Sequence, residues 1–149
     1  MAHELRHEGY TISDDPARLD VDAIHAFLSR SYWAEGIPRE LVARSIESSL
    51  CLGIHAPDGA QVGLVRVISD LATFAYLCDV YVLEEHRGKG LAKAAMRAFD
   101  SHPRLQNLRR VQLVTRDAHE LYAQFGFQPL STPERHMERR IVDAYRRVE

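Results

Sequence analysis

Arg87-Gly88-Lys89-Gly90-Leu91-Ala92 constrains this 149-residue chain more than any other feature, because of what stands on either side of it. Phe74 to Val82 is rich in β-branched and aromatic residues and predicts a strand. Leu91, Ala94, Ala95, Ala98 and Phe99 fall at i, i+3, i+4, i+7 and i+8, the stripe of an amphipathic helix that must stop before Pro103. A strand that feeds a glycine turn opening a helix brings backbone N–H groups and a helix N-terminus to one point. Gly88 and Gly90 leave room for an anion to reach the amides, and Arg87 and Lys89 add positive charge. The turn predicts a phosphate site.

Which phosphate follows from what the turn is not. The chain has no GxxxxGK[ST] string, so a nucleoside triphosphate loop is disfavoured. A dinucleotide fingerprint needs Gly or Ala where Lys93 stands, and opens a fold where this turn follows several strands. A glycine turn with solvated basic residues, read alone, has about even odds of binding nothing.

The remaining periodicities give the order β-α-α-β-β-β-α-β-α-β. Tyr10 to Ile12 suits a first strand. Asp20 caps a helix carrying Val21, Ile24, Phe27 and Leu28, and Pro38 opens another through Leu41, Val42 and Ile46. Leu50–Ala56 and Gln61–Ser69 form an antiparallel pair across Pro57-Asp58-Gly59-Ala60. Val111–Thr115 predicts a strand, Ala118–Phe125 a short helix stopped at Gly126, and Phe127–Leu130 a further strand. One α/β domain over 1–149 is expected, with 1–8 a polar tail, 137–149 a last strand and frayed end, and 140–149 a charged tail.

Composition removes several partners. Nineteen basic against 21 acidic residues give a net charge of -2, without the basic footprint of a nucleic-acid binder. Leu71–Val82 is interrupted by Asp79 and falls short of the roughly 18 apolar residues of a membrane span. Cys51 and Cys78 have neither metal nor disulfide spacing, and the first residues lack a signal-peptide apolar core, so a cytoplasmic protein with reduced thiols is expected. His119-Glu120 lacks the second histidine of HExxH, since Ala123 stands there, and no metal is expected.

Arg87-x-x-Gly90-x-Ala92 after a strand resembles the [RQ]-x-x-G-x-[GA] pyrophosphate motif of the GNAT (GCN5-related) acetyltransferases. Downstream, Ala118-x-x-Leu121-Tyr122-x-x-x-Gly126-Phe127 is similar to the helix that packs beside acetyl-CoA in that family. The resemblance covers about Val62 to Leu130. It implies the GNAT fold, a mixed and mostly antiparallel sheet with helices on both faces, and acetyl transfer from acetyl-CoA to an amine. It also implies a cofactor site of Val80, Tyr81 and Val82 for the pantetheine and thioester, with Arg87, Gly88, Lys89, Gly90, Leu91 and Ala92 for the pyrophosphate. Thr115 stands where the family often has Asn, and its hydroxyl can keep part of that contact. A homodimer is a family-level expectation.

Acetyl transfer asks for an acid and a base. Tyr122 is the candidate acid, since a phenol at about 10 keeps its proton at neutral pH and can meet a thiolate. Asp79, a carboxylate inside an apolar strand, is the candidate base, sharing a face with Leu77 and Tyr81; Glu84, Glu85 and His86 rank below it as water-relayed alternatives. Tyr32 and Trp33 beside Glu35 are read as aromatic contacts for a cationic amine, and Asp70 as a further one. A small-molecule amine is the expected partner. The alternatives are a protein lysine or N-terminal acetyltransferase and a non-catalytic acyl-CoA-binding module.

Overall fold

The computed structural model describes residues 1–145. Six strands form one sheet in the order β1-β2-β3-β4-β5-β6. They are β1 (Glu4–His7), β2 (Tyr10–Ser13), β3 (Leu50–His55), β4 (Gln61–Ser69), β5 (Phe74–Val82) and β6 (Arg110–Leu113). The first five pair antiparallel and β6 joins β5 in parallel. Helices α1 (Val21–Leu28) and α2 (Arg39–Glu47) cover one face, and α3 (Leu91–Ser101) covers the other; α4 (His119–Ala123) follows β6. The expected α/β fold with a mixed, mostly antiparallel sheet is the one observed.

Local chemistry explains most of these bounds. Asp20 Oδ1 accepts from Ala23 N at 3.0 Å and starts α1, while Pro38 caps α2. The buried stripe of α3 comprises Leu91, Ala94, Ala95, Met96, Ala98 and Phe99, whose small residues let the helix lie close on Val65, Val67 and Leu77.

Three expectations need correction. The supposed polar tail, 1–8, contains a strand: Leu5 and His7 turn inward while Glu4 and Arg6 face solvent. It joins β2 through Glu8 (φ 47°) and Gly9 (φ 85°), a two-residue turn with both central φ positive. The strand expected at Phe127–Leu130 does not form. Gly126 N–H donates to Ala123 O and Phe127 N–H to Tyr122 O, so the cap of α4 consumes both donors, and Pro129 has none. Residues 136–141 pair with no strand, so no last strand starts at Met137 either; residues 146–149 of the expected charged tail lie outside the described residues.

Candidate active site

Strand β5 positions the site by failing to stay a regular strand. Only Phe74–Leu77 pair with β6, so from Cys78 onward β5 has no strand neighbour on that side among the described residues. At the same place the β4 register slips between Leu64 and Arg66, and Asp79 takes φ 51°. A bulge exchanges the two faces of a strand beyond it. Leu77 therefore packs in the core under α3, whereas Tyr81 packs under α1 and α2. The expectation that Leu77, Asp79 and Tyr81 share a face is corrected by this inversion.

Backbone polarity follows the same alternation. The Tyr81 carbonyl faces Gly63 on β4, so the N–H and C=O groups of Val80 and Val82 point to the open side. Arg87 Nε donates to the Val82 carbonyl at 2.9 Å, which leaves Val80 N–H, Val80 C=O and Val82 N–H along the opening. Tyr81 contributes its ring instead, stacked on Phe27 at 3.9 Å between centroids and 10° between planes.

The opening leads into a cavity of about 900 Å³ floored by β5 and walled by the glycine turn, the β6–α4 connection and the α1–α2 loop. Gly88 (φ 79°) and Gly90 (φ 75°) are both left-handed, and a Cβ on Gly88 would meet nothing within 4 Å. Alternation of this kind turns successive N–H groups into a concave anion nest, and the N-terminus of α3 begins at Leu91 beside it. Leu91 is buried in the core and, with Ala92 and Lys93, lines the cavity. The nest and the adjoining open strand edge fit a pyrophosphate carrying an extended amide chain.

Tyr122 lines the cavity with its ring edge-on to Phe127 at 5.9 Å. Burial, with a smaller contribution from the nearby Tyr32 phenol, pushes its hydroxyl up to about 12. Thr115 Oγ1 accepts from Ala118 N–H at 3.0 Å, bracing the approach to α4 while keeping its own proton to donate.

Asp79 is not a free carboxylate. Arg66 Nε donates to Oδ2 at 2.7 Å, and Trp33 Nε1 donates to Oδ1 at 2.8 Å. Arg66 also reaches Ser49 Oγ at 3.1 Å, and in register it stands between Cys51 on β3 and Cys78 on β5. With one oxygen taken by a guanidinium and the other by an indole, the carboxylate is placed as an anchor between β4, β5 and the α1–α2 loop. Burial pushes the thiols up, to about 12 for Cys51 and about 11 for Cys78, so neither offers a thiolate at neutral pH.

Tyr32, Trp33 and Asp70 also find internal partners. The Arg116 guanidinium sits 3.8 Å over the Tyr32 ring, so the aromatic face expected to take a substrate cation already holds one. Trp33 packs edge-on to Tyr32 and tilted against Phe27. Glu35 is solvent-exposed. Asp70 accepts from the N–H groups of Ala72, Thr73 and Phe74 and from Thr73 Oγ1, which holds its carboxyl far below the usual range; it caps the β4–β5 turn and does not approach the cavity. His86 Nδ1 is 2.8 Å from the Tyr10 hydroxyl. Arg66, Phe27 and Arg116 are site residues that the sequence reading missed. Of these, only Arg66 carried a signal, as the one charge inside the apolar run of β4.

Residues 21–127 match the model of the acetyltransferase (GNAT) family. A curated relative from Gibberella zeae, whose name assigns it as an acetyltransferase, is 37% identical, with 76% of this chain and 75% of the relative covered. A crystal structure from Xanthomonas campestris, described as belonging to the same family, is 50% identical with a TM-score of 0.90, covering 94% of this chain and 99% of that one. A Staphylococcus aureus structure at 19% identity and TM-score 0.71, covering 89% and 99%, shares the fold.

Proposed function

The chain belongs to the GNAT acetyltransferase family, and from that premise we propose that it moves an acetyl group from acetyl-CoA directly onto the primary amine of a small molecule. The observation that carries this reading is the junction of the glycine nest with the unpaired edge of β5 in one cavity that also contains Tyr122. The nest would hold the pyrophosphate, and Val80 and Val82 the pantetheine amides. The free N–H of this edge would polarise the thioester carbonyl, where a preorganised donor stabilises the developing oxyanion.

In the transfer step the amine nitrogen forms a bond to the acetyl carbon while the carbon–sulfur bond breaks. Tyr122 gives its proton to the departing sulfur and regains one from solvent, to which the amine proton is released. A direct attack is favoured over an acyl-cysteine route because Cys78, the cavity's thiol, is held protonated. Asp79 serves as a positioning residue: it ties Trp33 of the α1–α2 loop to β5 and closes one wall of the acceptor side. An aromatic wall of Phe27, Tyr32, Trp33 and Tyr81 suits a compact acceptor.

Release of free CoA thiol from acetyl-CoA, measured against polyamines, amino acids, aminoglycosides and lysine peptides, tests the proposal. Turnover with a small amine is the expected result. Turnover confined to peptides would replace it with protein acetylation, and CoA binding without turnover on any amine would leave a binding module.

A further inference from the structure

His7 lies ahead of the residues that match the family model, on the strand that sequence reading took for a tail. Its Nε2 is 2.8 Å from the Lys89 carbonyl, inside the glycine turn. Four residues earlier, at the entry to the same strand, His3 Nε2 is 3.2 Å from the Ala98 carbonyl and 3.1 Å from Ser101 Oγ, near the other end of α3. Four residues of strand rise about 13 Å, and the helix from Leu91 to Ala98 rises about 10.5 Å with the Lys89–Gly90 turn ahead of it, so the two histidines fit the same stretch of α3 and its leading turn. Strand β1 therefore lies along α3 as a splint with a pin at each end.

The pin at Lys89 acts on the anion nest. In a trans peptide the C=O and the following N–H point in opposite directions. With its carbonyl held by His7, the Lys89–Gly90 peptide must present the Gly90 N–H on the side away from β1. Gly90 has φ 75° and no side chain, so nothing intrinsic to the residue would stop this plane from rotating. His7 also closes the space behind the turn, since a Cβ on Gly90 would stand 3.3 Å from its Nε2. Tyr10, on the adjoining strand, steadies the start of the turn through His86. We propose that His7 is a positioning residue for the pyrophosphate site, holding the Lys89–Gly90 peptide so that the Gly90 amide faces the anion.

This inference rests on the reading of the turn as a CoA pyrophosphate site, and the test separates the two. CoA binding is measured by calorimetry on the full chain for wild type, His7→Ala, His7→Gln, His7→Leu and His3→Ala, with the Gly90 amide followed by NMR. Loss of one orienting hydrogen bond should weaken CoA binding about three- to tenfold in His7→Ala and His7→Leu. His7→Gln, whose side-chain amide still donates, should recover most of it. His3→Ala, which removes only the distant pin, should bind CoA as wild type does. The CoA-induced shift of the Gly90 amide should shrink in His7→Ala alone among the alanine variants. His7→Leu keeps bulk in β1 and carries the test should His7→Ala fail to fold. Equal CoA affinity in wild type and His7→Leu, or equal weakening by His3→Ala, would overturn the role of His7. A wild-type chain that takes up no CoA would overturn the underlying reading and this inference with it.

Discussion

Asp79→Asn separates an anchor from a base. The exchange keeps an oxygen for Trp33 Nε1 but turns an amide donor toward Arg66 Nε. Asn tolerates positive φ, so the 51° backbone of residue 79 is not the source of any loss. The side chains of Arg66 and Asp79 are 17% and 9% exposed, and breaking a largely buried pair costs about 3–5 kcal/mol. Residual exposure of Arg66 and its bond to Ser49 place this case near the lower end. For a chain of this size about 3 kcal/mol lowers Tm by roughly 6–12 °C. Circular dichroism melts would read that shift, and CoA release at saturating acetyl-CoA would read the rate of the folded enzyme. Arg66→Gln placed on top of Asp79→Asn should restore more than half of the lost stability, since an amide can then face an amide. A Tm within about 2 °C of wild type together with a hundredfold loss of rate is the signature of a general base, and it would refute the anchor argument.

Tyr122→Phe should lower kcat about a hundredfold while CoA affinity stays within twofold, because the proton donated to sulfur is lost and the ring packing remains; calorimetry alongside CoA release checks both. His55 is buried with an unpartnered Nε2, and burial holds its ring below the ordinary 6.5, so the folded state resists the proton that the unfolded chain accepts. Its contribution is present above about pH 6.5 and is lost as pH falls below it; denaturant titrations from pH 7.5 to 5 should show a decline that His55→Leu flattens. Gly63→Ala places a Cβ 2.6 Å from the Tyr81 carbonyl and 2.8 Å from Ile54 Cδ1, forcing β4 and β5 apart where the strand opens. A loss of about 1–3 kcal/mol in urea unfolding is expected, and an unchanged midpoint would show that the opening yields freely.

The glycine turn was legible because positive φ at Gly88 and Gly90 and the amphipathic run of α3 are local properties, written in residue type and spacing. Tyr122 was legible for the same reason, as part of a short helix ended by Gly126. The bulge was not. Asp tolerates positive φ better than most residues, but a single Asp inside an apolar run does not mark a bulge, and the face inversion beyond it arises from pairing with β4, a non-local contact. Periodicity alone therefore put Asp79 on one face with both Leu77 and Tyr81, whereas its carboxylate turns to Arg66 and Trp33 on the side opposite Leu77. Strand β1 escaped because four mostly polar residues at a sheet edge carry little hydrophobic signal, although Glu8-Gly9 marked its turn. The strand predicted at Phe127 failed because a helix cap and a strand compete for the same N–H, and the cap is the nearer partner.

The central claim is that the glycine nest and the open edge of β5 together receive CoA. A crystal structure of the CoA complex tests it most directly. Pyrophosphate oxygens should lie within about 3 Å of the amides from Gly88 to Leu91, with pantetheine amides paired with Val80 and Val82 and the sulfur beside the Tyr122 hydroxyl. A pyrophosphate bound away from the turn, or a pantetheine arm that does not follow β5, would contradict it.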